Sequence, residues 1–230
     1  MTSMTLLLVD DEPLLRLGLR MVLESNEGVR VIGEAGTGED ALRQTMELKP
    51  DVVLMDVRMP GMDGIEATRR IVGSGSRSRI LILTTFDLDE YSYGALRAGA
   101  SGFLLKNLPP TDLISAVRSV QSGDAVVAPS VTRRLLDAYA HRLPDPDRPG
   151  EPADPRLARL TSREHEILLH MAEGLSNAEI ADRVTLAEAT VKTHVVRILA
   201  KLELRDRVQV VIYAYEIGLI QPNKRPPIFG

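Results

Sequence analysis

Four short apolar runs, each stopping at a polar side chain able to hold an ion or a phosphate, constrain this chain most. Leu6 to Val9 ends in Asp10 and Asp11, and Val52 to Met55 ends in Asp56. Ile80 to Leu83 ends in Thr84 and Thr85, and Phe103 to Leu105 ends in Lys106. With one more run, these β-branched and leucine-rich segments predict strands near 5–9, 29–34, 51–56, 79–84 and 102–105. Longer stretches with helical spacing separate them. Thr37 to Lys49 opens with a threonine and an acid three residues on, a capping-box pattern. Asp87 and Glu90 repeat it before Tyr91 to Ala98, with Gly99 as the stop, and a fifth helix is expected from Thr111 to Ser122. Five βα units imply an α/β doubly wound, five-stranded parallel sheet with helices on both faces. In open parallel sheets, sites form at the carboxyl ends of the strands, where all these polar residues fall.

The chemistry explains the residue types. Carboxylates within a few ångströms repel by roughly 1 kcal/mol per pair in water and about 4 at an intermediate dielectric. A hard cation relieves that repulsion, and oxygen-only ligands with room for water suit Mg²⁺. Such a cation neutralises charge developing on a transferred phosphoryl group. Asp56 is a plausible nucleophile, because it would lie between the metal and the Lys106 ammonium. The Thr84 hydroxyl and that ammonium can hold the phosphoryl oxygens by charge-assisted hydrogen bonds. Taken singly, these residues have plainer roles: a helix cap or turn for each Asp, a solvated lysine, a strand threonine. Their joint spacing at strand ends is what favours the phosphoacceptor reading.

The Asp10-Asp11 pair, the segment Asp56-Val-Arg-Met-Pro-Gly-Met-Asp-Gly64, Thr84 and Gly102-Phe-Leu-Leu-Lys106 resemble the receiver domain of two-component response regulators, a flavodoxin-like fold. The resemblance covers roughly residues 4 to 122. It implies that Asp56 is the phosphoacceptor, that Asp11, Asp56 and the Arg58 backbone carbonyl bind Mg²⁺, and that Asp10 acts through water. It also implies that Thr84 and Lys106 sense the phosphate and that Phe103 is the rotating switch aromatic, although burial alone would account for Phe103. Asn107 departs from the Asp that often follows the lysine.

Composition narrows the class. The chain has 230 residues and no cysteine, which excludes a disulfide framework and a thiolate metal site. No apolar stretch approaches the ~20 residues that span a bilayer, and the N-terminus has no signal-peptide pattern, so a cytoplasmic location is expected. The formal charge of −4 is uneven: residues 1–122 carry −4 and residues 158–230 carry +1. Between them, Leu143 to Pro155 holds five prolines among alternating charges, an extended, semi-rigid linker by composition. The expected division is therefore a domain at 1–122, a linker at 123–157 with a helix over 129–142, a second domain at 158–222 and a tail at 223–230.

The second domain is helical throughout its pattern. Thr161-Ser-Arg-Glu164 is a capping box opening a helix through Glu173, closed by Gly174. Ser176-Asn-Ala-Glu179 opens another through about Val184. A three-residue turn leads into a helix from about Glu188 to Lys201, and Val208 to Gly218 makes a fourth. Two short helices on a tight turn form a helix-turn-helix, whose second helix can enter the major groove. Lys192 to Arg207 carries a basic stripe (Lys192, Arg197, Lys201, Arg205, Arg207) of the kind phosphate contacts require. Such a stripe is more often a solvated face, so Arg205 or Arg207 could equally be structural.

Leu160-Thr-Ser-Arg-Glu164, Gly174-Leu-Ser-Asn-Ala-Glu-Ile-Ala181 and Thr190-Val-Lys-Thr-His-Val195 resemble the LuxR-type helix-turn-helix, and the whole chain resembles the NarL/FixJ class of response regulators. The resemblance implies that Lys192, Thr193 and Val196 face base edges, while Thr190, His194, Arg197 and Lys201 lie near the DNA backbone. For His194, support of the helix is the commoner role. One departure is Ala187, where the family has a Ser or Thr cap; its loss costs typically ~1 kcal/mol. Either the cap moves to Thr185, which has Glu188 three residues on, or the helix start frays until DNA orders it.

The resemblance implies a non-enzymatic transcription regulator switched by Asp56 phosphorylation. Its donor would be a sensor histidine kinase, its target promoter DNA, its active form a homodimer, with no membrane partner. An orphan regulator of the same fold, acting without phosphorylation, is the alternative. A haloacid-dehalogenase-like phosphatase would need an Asp two residues after Asp56, where Arg58 stands. A ligand-sensing LuxR-type activator would need an apolar pocket in place of the acid cluster.

Overall fold

The computed structural model describes residues 3–84, 90–122 and 154–220, which fall into two compact units, one ending at Val127 and the next starting at Ala128. The expected helix over 129–142, the tail at 223–230 and the Asp87 cap lie outside the described residues.

The first unit alternates strictly: β1 (Met4–Val9), α1 (Pro13–Glu24), β2 (Val29–Ala35), α2 (Gly38–Leu48), β3 (Val52–Asp56), α3 (Gly64–Gly73), β4 (Arg79–Thr84), α4 (Glu90–Arg97), β5 (Gly102–Leu105) and α5 (Pro110–Ser122). All strand pairs are parallel, in the order β2-β1-β3-β4-β5. Parallel strands covered on both faces are apolar throughout, and β1, β3 and β4 are buried nearly end to end. Leu6, Leu8, Leu54, Leu81, Leu83 and Leu104 share one core with Leu23 of α1 and Val117 of α5. Leu7, Val53, Met55, Ile80, Ile82 and Phe103 alternate with them along the strands and are buried too, as a side-chain period of two requires.

These helix starts have a visible cause. Thr37 caps α2 by accepting a hydrogen bond from the Asp40 N–H, and Asp63 caps α3 through the Glu66 N–H. Strand order reverses between β1 and β3, which opens the crevice where such folds place their sites. Gly64 presses the start of α3 against the strand carrying Asp56: its N–H donates to the Val57 carbonyl at 2.8 Å, and a Cβ there would overlap the Asp56 carbonyl oxygen.

The second unit holds a 3-10 turn at Leu157–Arg159 and four helices among its described residues: α6 (Ser162–Ala172), α7 (Asn177–Val184), α8 (Glu188–Leu202) and α9 (Arg207–Glu216). Both predicted capping boxes form reciprocally, Thr161 with Glu164 and Ser176 with Glu179. Ile167, Leu168, Ile180, Val191, Ile198 and Val210 belong to one core. Among the described residues, no helix is long and apolar enough to cross a membrane.

Gly64→Ala in the full chain should destabilise the first unit by roughly 1–3 kcal/mol, the usual cost of forcing atoms into a packed site. Gly18→Ala serves as its control. That mid-helix glycine has nothing within 4 Å of an added Cβ, so alanine there should stabilise by roughly 0.5–1 kcal/mol. Urea unfolding of the two variants should move in opposite directions.

Candidate functional site: an acid cluster and a helix-turn-helix

The carboxyl ends of β1, β3, β4 and β5 bring together Asp10, Asp11, Asp56, Thr84 and Lys106. Carboxylate oxygens of Asp10, Asp11 and Asp56 lie within 4.8 Å of one another. Asp10 and Asp56 are buried, whereas Asp11 is exposed. The Lys106 ammonium sits 2.7 Å from Asp10 Oδ2 and 2.9 Å from Asp56 Oδ2. Backbone bonds fix these positions: the Lys106 N–H donates to the Thr84 carbonyl at 2.7 Å, and the Asp10 N–H donates to Ala35 at 3.1 Å. The Glu12 N–H donates to Asp10 Oδ1 at 2.9 Å. Arg16 donates to the Asp10 carbonyl, a support that no local pattern in the sequence announced.

Burial pushes the Asp56 carboxyl above its usual range, against the pull of the Lys106 hydrogen bond and charge. Burial alone would lower the Lys106 ammonium, but its bonds to Asp10 and Asp56 raise it overall. The site thus holds two buried carboxylates paired with the Lys106 ammonium, with Asp11 facing solvent. An open cleft of about 420 Å³ lined by Asp11, Val57, Arg58, Met59, Pro60 and Asp63 adjoins it. An all-oxygen donor set with one open side suits a hard divalent ion that keeps water, so the residues present fit Mg²⁺. Thr84 is buried at the end of β4, and Phe103 is buried on β5.

In the second unit, α8 is the second helix of the helix-turn-helix. Thr190, Lys192, Thr193, Val196 and Arg197 are exposed, while Val191, Val195 and Ile198 are buried. Val196 stands out as a large apolar side chain that is 66% exposed. Lys192 pairs with Glu188 one turn back at 2.9 Å, and the Thr193 hydroxyl donates to the Ala189 carbonyl at 3.0 Å. His194 is half-buried, and its Nδ1 is enclosed without a hydrogen-bond partner among the described residues.

Three features differ from, or resolve, what the sequence suggested. The cap of α8 has not moved to Thr185: that residue is left-handed at φ 54° and ends α7, its N–H bonded to the Ala181 carbonyl. Ala187 holds the cap position without a side-chain bond, yet the first turn forms, with the Thr190 and Val191 N–H groups donating to its carbonyl. Arg207 is structural, buried and bonded to Asn177 Oδ1 at 3.0 Å and to the Leu175 carbonyl. Lys201, expected near the DNA backbone, lies 2.6 Å from the buried carboxylate of Glu164, which the Thr161 N–H and hydroxyl also bond. This pair spans 37 residues, so no sequence spacing could reveal it.

Comparison with known proteins follows the same division. Residues 6–118 match the response regulator receiver domain family, and residues 158–214 match the bacterial regulatory proteins of the luxR family. The chain is 42% identical over 214 residues to the uncharacterized transcriptional regulatory protein YxjL of Bacillus subtilis (strain 168), spanning 93% of this chain and 96% of that one. It is similar to the crystal structure of ChrA, the response regulator of a heme-sensing two-component system (35% identity, TM-score 0.51, 96% and 100% covered). It is also similar to the response regulator RcsB in a complex with DNA (26% identity, TM-score 0.53, 94% and 100% covered).

The Glu164 site makes a pH-dependent prediction. Burial opposes ionisation there, but Lys201 and the two Thr161 bonds outweigh it and hold the carboxyl down to about 2. A carboxyl lowered on folding adds stability that is fully present above its ordinary value of 4.5 and is lost as pH falls toward the folded value. Glu164→Gln should therefore cost roughly 1–3 kcal/mol at pH 7. That gap should narrow as pH falls from 4.5 toward 2. A gap in urea unfolding that stayed constant with pH would deny the carboxylate this role.

Proposed function

This chain belongs to the response regulators that join a receiver domain to a LuxR-type DNA-binding domain, and we propose that phosphorylation of its Asp56 by a partner sensor histidine kinase sets how it binds promoter DNA. The observation that carries this reading is the Lys106 ammonium 2.9 Å from Asp56 Oδ2, inside a three-carboxylate cluster. The family is one of transcription regulators rather than enzymes.

Asp56 supplies the nucleophilic oxygen. As a carboxylate it forms the new bond to phosphorus while the bond from phosphorus to the donor's imidazole nitrogen breaks, and that nitrogen takes up a proton from solvent. Asp10, Asp11, Asp56 and the Arg58 carbonyl would hold Mg²⁺, which when bound neutralises charge on the phosphoryl oxygens. Lys106 turns its ammonium from the Asp56 carboxylate to the product's oxygens, and the Thr84 hydroxyl donates to another. The phosphoryl group adds about −1.5 to −2 charge at neutral pH. Phe103, buried beside Ile82 in the β4–β5 register, is the aromatic that follows Thr84 as the switch. The domain division is read as a receiver at 1–122, a linker at 123–157 and a DNA-binding domain at 158–222, in a cytoplasmic protein.

On DNA, Lys192, Thr193 and Val196 read base edges, and the exposure of Val196 supports an apolar contact to a thymine methyl. Thr190, His194, Arg197 and Lys201 lie along the backbone, with Lys201 sharing its charge with Glu164. A single module buries only roughly 600–1,000 Å² on DNA, so specific binding calls for a homodimer reading two half-sites.

Incubation with Mg²⁺ and a small phosphodonor should give one acid-stable, hydroxylamine-labile acyl phosphate, lost in Asp56→Asn and weakened in Asp11→Ala. Undiminished labelling of Asp56→Asn would place the acceptor elsewhere. DNA binding unchanged by phosphorylation would favour the orphan alternative. In gel shifts over a salt series, Lys192→Ala should lose sequence preference by roughly 1–3 kcal/mol at the base it contacts. Full preference in that variant would remove Lys192 from the reading surface.

A further inference from the structure

We propose that Arg156 is a positioning residue for the recognition helix α8, the anchor through which the state of the linker reaches the DNA-reading surface. This rests on the regulatory reading above. Arg156 directly follows the proline-rich run Leu143 to Pro155, whose composition favours a semi-rigid spacer. A pull or a turn of such a spacer acts first on whatever fastens its end.

That fastening is a forked one. The Arg156 Nε lies 3.1 and 3.0 Å from the two Asp154 carboxylate oxygens, and its Nη2 lies 2.7 Å from Oδ2. On its other side, Nη1 donates at 3.0 Å to the carbonyl of Leu202, the last residue of α8. The guanidinium carbon stands 4.7 Å from the centroid of the Tyr213 ring on α9. One 3-10 turn later, Arg159 Nη1 donates to the Lys201 carbonyl at 3.4 Å and pairs with Glu203 at 2.8 Å. The last two carbonyls of α8 are therefore both held by arginines of one short segment at the end of the linker.

A helix leaves its final carbonyls without partners of its own, and cations there oppose the negative end of its dipole. An ordinary C-cap supplies such partners locally. Here they come from 46 and 42 residues away in sequence, so the end of α8 and the end of the linker move as one body. Leu157, which opens the 3-10 turn, and Leu160, which follows it, pack against the core, which keeps the segment from swinging independently. Lysine could supply the charge, but not the planar fork that holds Asp154 and Leu202 together. Arg156 never touches DNA in this scheme; it sets where α8 lies.

The test uses the full chain as wild type, Arg156→Ala, Arg156→Lys and Asp154→Asn. The probe is a DNA fragment selected from a random pool by the phosphorylated wild-type protein. Affinity is measured with and without Asp56 phosphorylation, alongside amide exchange at Leu202 to Leu204. In both Arg156 variants, the tightening produced by phosphorylation should shrink at least about threefold, a loss of coupling between sites. Exchange at Leu202 to Leu204 should quicken by about tenfold as the end of α8 opens locally. An arginine that merely stabilised the domain would leave the phosphorylation ratio at its wild-type value, and that result would overturn the proposal. If Arg156→Ala loses its helical signal, Arg156→Lys and Asp154→Asn decide by the same two readouts. A wild-type ratio of one would sink the phosphorylation reading by itself. The positioning of α8 would then stand or fall on the exchange data alone.

Discussion

Two buried carboxylates and one ammonium determine how the first unit is built. Burying Asp10 and Asp56 at the end of an apolar sheet is costly unless a cation is placed against them. Lys106 supplies it from β5, reaching past β4 to the ends of β3 and β1. That reach requires the strand order observed, since neighbouring strands lie roughly 4.8 Å apart. On the other side of Asp56, α3 begins close against the strand, an approach that the glycine at 64 permits. The arrangement is strained electrostatically and tight sterically, as expected of a place kept for chemistry rather than for stability.

Much of this was legible because it is local. Strand and helix limits came within a residue or two from apolar runs, caps and glycine stops, and both reciprocal capping boxes formed as their spacing implied. The acid cluster was legible for a different reason: parallel topology sends every strand's carboxyl end to one edge, so residues distant in sequence must converge there. What the sequence withheld is the long-range pairing of single charges. Nothing marks Glu164 and Lys201, or Arg156 and Leu202, as partners, because surface-type residues carry no periodicity and their contacts depend on how helices cross. Arg207 had two readings from its place in a basic stripe, and its burial against Asn177 settled which one holds. The cap at Thr185 failed for a physical reason: ending α7 takes that residue into the left-handed region, from which it cannot also open α8.

The two ends of α8 are treated in opposite ways. Its carboxyl end is held by two arginines, a lysine–glutamate pair nearby and a left-handed Glu203. Its amino end has no side-chain bond from Ala187. Free amides at a helix start attract phosphate, so a start that Ala187 leaves uncapped by a side chain suits a nucleic-acid backbone.

The turn between α7 and α8 has a further consequence, in the angular sense. Only Thr185, Leu186 and Ala187 separate the helices; Leu186 is tucked against the core, and its N–H is bonded back to Ala181. Each residue of an α-helix advances the side chains by roughly 100° around the axis. The three-residue turn therefore works as a phase setting. Lys192 and Val196, four residues apart, share a face whose bearing is fixed by the length of that turn rather than by any contact of their own. One residue more or fewer would leave both side chains on the same helix, intact and exposed, yet rotated by more than a quarter of a circle.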